Sequence, residues 1–101
     1  MKISGYDIAM VRGNSESIIV GIDGRTFTAG DVVTMAVSTS SGDVLFEKEV
    51  HPQSGKKVLF DIEPEDTKSL KSGNYVYSVN VKWSNNVTQL IVYAGLELLD
   101  S

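Results

Sequence analysis

Apolar and polar positions alternate along most of this chain. The clearest run covers residues 75–83. Tyr75, Tyr77, Val79, Val81 and Trp83 share one face there, and Val76, Ser78, Asn80 and Lys82 share the other. A period of two sustained this long makes a strand and cannot build one face of a helix. The next run, 87–98, puts Leu90, Val92, Ala94, Leu96 and Leu98 on one face. Its opposite face, Gln89, Ile91, Tyr93, Gly95 and Glu97, is mixed. Asn85-Asn86 between the two runs suits a tight hairpin, because Asn tolerates positive φ.

Earlier runs are shorter. Ile18, Val20 and Ile22 alternate with Ser17, Ile19 and Gly21, and Val33, Met35 and Val37 with Thr34, Ala36 and Ser38. Val58, Phe60 and Ile62 alternate with Leu59 and Asp61. In residues 44–50 the apolar Val44, Phe46 and Val50 share their face with Lys48, which predicts an edge strand, where an inward Lys discourages pairing with other chains. The first run, 6–11, carries Ile8 and Met10 on one face and is predicted to be peripheral. Turn residues separate these runs, at Gly13-Asn14-Ser15, Asp23-Gly24, Ala29-Gly30-Asp31, Ser40 to Asp43, Pro52 to Gly55 and Ser72-Gly73-Asn74.

One segment breaks the pattern. Glu63-Pro64-Glu65-Asp66-Thr67-Lys68-Ser69-Leu70 begins with Pro and acids and continues to Lys, the charge order of a short helical turn, closing at Gly73. The expected fold is all-β, with residues 1–101 forming one domain. It is an immunoglobulin-like antiparallel β-sandwich of about seven strands, with one short helical turn before the penultimate strand. Gly73, Tyr75 and Tyr77 sharpen this. In such sandwiches a Tyr opens the penultimate strand and its hydroxyl returns to the backbone of the preceding corner. Tyr75 is expected to lock the corner and Tyr77 to fill core, with ligand stacking as the other use of these rings.

Composition adds exclusions. The thirteen Val and seven Ile against four Ala fit half-buried strands and argue against a helical bundle. No Cys is present, which excludes a disulfide scaffold, a Cys-ligated zinc site and thiol catalysis. The net charge of -4 argues against nucleic acid, whose phosphates demand a basic patch. No stretch approaches the roughly 18 apolar residues of a membrane span. The N-terminus lacks the roughly 7 to 15 apolar residues of a signal peptide, so synthesis in a bacterial cytoplasm without secretion by its own signal is expected.

Catalytic chemistry finds little to stand on. His51 is the single histidine and sits in polar turn context beside Pro52, poor ground for a Ser-His-Asp device. Asp61, Glu63, Glu65 and Asp66 lack calcium-loop spacing and are interrupted by Pro64. Gly55-Lys56-Lys57 is no phosphate loop, and Asn86-Val87-Thr88 reads as hairpin. Trp83 either caps the core or stacks on a sugar ring. No enzyme, metal or cofactor is expected.

The segment Pro64-Glu65-Asp66-Thr67-Lys68-Ser69-Leu70-Lys71-Ser72-Gly73-Asn74-Tyr75-Val76-Tyr77 resembles one common in small proteins of bacterial prophages. Phe27 to Val37 is similar to that family's Gly-Asp followed by an alternating strand, and Arg12-Gly13-Asn14-Ser15 to its early Arg-Gly-Asp-Ser turn. These proteins look like the N-terminal domain of phage baseplate upper proteins. The resemblance implies a structural module of a phage tail or baseplate, carried into the virion tail and acting through contacts with other tail or baseplate proteins. Self-association is the further partner expectation, with Ile91, Tyr93 and Trp83 as candidate interface residues; alternatively, Ile91 and Tyr93 cover a second layer inside the fold. The competing function is a carbohydrate- or cell-surface-binding module anchored by Trp83, Tyr93 and Tyr6.

Overall fold

The computed structural model describes residues 2–4, 7–22 and 24–100. Seven strands of five or more residues form two facing sheets, β2 (Asp7–Val11), β3 (Glu16–Gly21), β4 (Val32–Ser38), β5 (Val44–Val50), β6 (Lys57–Ile62), β7 (Gly73–Lys82) and β8 (Thr88–Leu99). The three-residue β1 (Lys2–Ser4) extends one edge, and a single helical turn, α1 (Pro64–Thr67), precedes β7. The larger sheet runs β1-β2-β8-β7-β4-β5 and the smaller is the pair β3-β6.

Alternation along the strands builds the core between these sheets. Val33, Met35 and Val37 of β4, Tyr77, Val79 and Val81 of β7, and Leu96 and Leu98 of β8 point inward. They meet Ile18 of β3 and Val58, Phe60 and Ile62 of β6, all buried in one cluster. Ile8 and Met10 of β2 join it, and β2, expected to be peripheral, lies between β1 and β8, because β1 takes the sheet edge.

Two features depart from the antiparallel expectation. β2 pairs with β8 in parallel, Ile8 opposite Leu96 and Val11 opposite Leu99, so the larger sheet is mixed. The chain passes from β2 into the other sheet before returning, and this crossover leaves both strands running the same way. The second departure lies inside β8. Val79 opposes Val92, but the next β7 residue, Asn80, opposes Leu90, leaving Ile91 as the extra residue of a bulge. The bulge inverts the alternation over the start of β8. Leu90, expected in the core, turns outward, and Ile91, expected outside, packs against the core.

β5 lies at a sheet edge and carries Lys48 on its inward side, opposite Met35, as its pattern predicted. The hairpin between β7 and β8 closes through Trp83 N to Val87 O at 2.8 Å, and Asn86 takes φ 68°.

Candidate functional site

The three segments that carry the family resemblance are structural braces. The hydroxyl of Tyr75 donates to Lys71 O at 2.7 Å, closing the corner before β7, and Gly73 takes φ 148°, which disfavours any side chain. Tyr77 is buried in the core. The Arg12-Gly13 turn reaches the same corner. Arg12 Nη1 donates to Leu70 O at 2.8 Å, and Gly13 N donates to the buried Thr67 Oγ1 at 2.8 Å. Two segments more than fifty positions apart in sequence thus meet in one bracket below the sandwich.

The Gly30-Asp31 segment braces the opposite end. Asp31 is 1 % exposed and has one carboxylate oxygen for each of two loops. Thr28 N donates to Oδ2 at 2.8 Å and Ser84 N to Oδ1 at 2.8 Å. The Thr28 amide is the main reason that the Asp31 pKa lies below the ordinary aspartate value; the Ser84 amide and the Arg25 charge act the same way, against the burial that opposes them. In the sequence Asp31 reads only as a turn residue. A Thr-x-x-Asp spacing across a Gly turn was its visible signal.

Trp83 is 2 % exposed. Phe27 stacks on it with centroids 5.7 Å apart, and the Arg25 guanidinium lies 3.5 Å over the ring. Its Nε1 donates to Gln89 Oε1 at 3.2 Å. These neighbours occupy the ring surface that a partner or a sugar would need, so Trp83 closes the core and is corrected as an interface residue. Ile91 is corrected for the same reason, since the bulge turns it inward.

Tyr93 remains outside, 66 % exposed, and Leu90, missed in the sequence, joins it at 55 %. The sheet register shows what surrounds them. Across the outer face Tyr93 is followed by Ser78, Ala36 and Glu47, and Leu90 by Asn80, Thr34 and Glu49. The neighbours on β7 and β4 are short, so the Tyr93 ring and the Leu90 side chain stand above a low polar floor with acids on the far strand. Further along β8, Gly95 opens a shallow groove of about 400 Å³ between Asp7, Ala9, Asn74, Tyr75 and Glu97. Asp7 Oδ1 accepts from Gly95 N there at 2.9 Å.

The remaining polar candidates are spread apart. His51 Nε2 lies 3.0 Å from Glu49 Oε2 at the exposed end of β5. Asp61 accepts from Ser17 Oγ at 2.9 Å, and Asp66 pairs with Lys48. Among the described residues, no group of three or more His, Cys, Asp or Glu is close enough to hold a metal ion. No helix of the described residues is long and apolar enough to cross a membrane. Tyr6 lies outside the described residues.

No family model matches the chain, and no curated protein matches it.

Proposed function

We propose that this chain is an immunoglobulin-like structural module of a phage or prophage tail or baseplate, working through protein–protein contacts. The observation that carries the contact reading is the exposed pair Tyr93 and Leu90 on the outer face of a sheet whose inner face already makes the core. A large aromatic with an aliphatic neighbour, standing over short polar residues, is the composition of a contact anchor. The Tyr75 corner supports the immunoglobulin-like assignment. On this reading the mixed larger sheet and the two-stranded smaller one are departures from the common form of that architecture. The phage context rests on the resemblance of residues 64–77, 27–37 and 12–15.

On this reading the protein is synthesised in a bacterial cytoplasm and incorporated into the virion tail, and it needs no cofactor. The carbohydrate-binding alternative loses its main anchor with Trp83 enclosed. The test is to purify particles released from the host that carries the gene, and to look for the chain in tail fractions by mass spectrometry. Stoichiometric presence there, with Tyr93→Ala particles losing the chain, is the expected result. Its consistent absence from tails overturns the phage assignment.

A further inference from the structure

The open edges of the two sheets are defended unequally. In the larger sheet the β5 edge carries Glu47, Lys48 and Glu49 and a bulge at Leu45, all of which discourage strand addition. The outer edge of β3 has no such device. From Ser17 to Gly21 it bears no charge, no proline and no bulge, and among the described residues no strand pairs with it.

The ladder decides which backbone groups are free. Ile22 N donates to Lys56 O at 2.9 Å, continuing the β3–β6 register. Antiparallel bonding alternates, so Ile18 and Val20 bond toward β6 while Ser17, Ile19 and Gly21 direct their N–H and C=O groups to the open side.

We propose that β3 pairs antiparallel with β3 of a second copy about a two-fold axis at Ile19, forming a continuous sheet of order β6-β3-β3-β6. The proposal rests on the assembly reading and deepens it by naming an edge and a partner. A register centred on Ile19 uses every free group, with Ile19 opposite Ile19 and Ser17 opposite Gly21. The outer face then carries an unbroken apolar row of Leu59, Ile19, Ile19 and Leu59. In a single copy those side chains are left 47 % and 62 % exposed for Leu59 and Ile19.

Charge favours a second copy over any other strand. The Lys57 side chain lies over Gly21, its Cγ 3.8 Å from where a Cβ would stand. Asp61 is held beside Ser17 by the 2.9 Å hydrogen bond from Ser17 Oγ. The two-fold sets Gly21 of each copy opposite Ser17 of the other. Lys57 of each copy therefore faces Asp61 of the other across the new strand pair, and the complementarity occurs twice.

The full-length chain is tested by sedimentation equilibrium and by hydrogen exchange at increasing concentration. The expected result is a dimer whose Ile19 amide becomes protected as concentration rises. Ile19→Lys, an exposed substitution that places like charges on the axis, weakens association about tenfold or more without lowering the melting temperature at concentrations where both proteins are monomeric. Lys57→Glu and Asp61→Lys each weaken the dimer, and the double variant restores it. A chain that stays monomeric overturns the proposal, as does a dimer whose Ile19 amide exchanges freely at every concentration. Either result leaves the tail assignment standing, because the particle experiment reads that separately.

Discussion

Lys48 Nζ lies 2.6 Å from Asp66 Oδ2, which ties the inward side of the edge strand β5 to the helical turn α1. The same carboxylate oxygen accepts from Glu63 N at 2.8 Å, so one acid both caps the turn and neutralises a lysine on a core-facing position. Asp66→Ala removes both contacts and leaves a partly buried ammonium unpaired. It is expected to lower unfolding free energy by about 1–3 kcal/mol. Lys48→Met keeps the apolar stem and removes the charge, and is expected to cost less. Urea titration of both variants checks the order; equal losses would mean that the contact to Glu63 N adds nothing beyond the ion pair.

The Tyr75 corner can be opened by one atom. Tyr75→Phe deletes only the hydroxyl that donates to Lys71 O, at an expected cost of about 1 kcal/mol. Gly73→Ala forces a side chain into φ 148° and is expected to cost about 1–3 kcal/mol. Thermal melts of the two variants read this directly. An unchanged melting temperature for Tyr75→Phe counts against the corner as a brace.

The β8 bulge makes two neighbouring residues behave oppositely. Ile91→Asp buries a charge against the core and is expected to destabilise by about 2 kcal/mol or more. Leu90→Asp stays on the surface and is expected to change stability by no more than about 0.5 kcal/mol. A reversed order, seen by denaturant unfolding, would return β8 to uninterrupted alternation.

Trp83 is the single tryptophan, so its fluorescence reports one environment. Arg25→Ala uncovers the ring, and the emission maximum is expected to move to longer wavelength. The lost cation–π contact costs about 0.5–1 kcal/mol. An unmoved spectrum would show that the guanidinium does not shield the indole in solution.

Asp31 sets an acid limit. Its folded pKa lies below the ordinary aspartate value, chiefly through the Thr28 amide. The stabilisation is therefore complete above the ordinary value and is lost as pH falls through it toward the folded pKa. Asp31→Asn turns one accepting oxygen into a donor facing a backbone N–H, and is expected to be less stable at neutral pH. Its melting temperature should also fall less steeply than that of the parent below about pH 5. Parallel acid slopes for the two proteins would remove Asp31 from the acid response.

Much of this fold is legible in the chain, because a strand with one buried face writes its period into the residues. The faces of β4, β6 and β7 follow from alternation alone. The inward Lys48 marks β5 as an edge, and Pro64 with its acids marks α1. The candidate surface was harder to read. Tyr93 was visible as an aromatic on the mixed face of its strand, but Leu90 and Ile91 exchanged roles. A one-residue bulge leaves composition unchanged while it reverses the faces of the positions on one side of it, here those at the start of β8.

By itself the sequence determined that apolar residues close two sheets on one core, and that turns and corners fall where Gly, Asn and Pro allow them. Local preference and side-chain period are enough for that. Only the tertiary structure decided the parallel pairing of β2 with β8, the enclosure of Trp83 by Phe27 and Arg25, and the edge of β3 from Ser17 to Gly21 that no strand covers among the described residues. Each depends on which segment lies beside which in space, and that is set by packing between residues far apart in the chain.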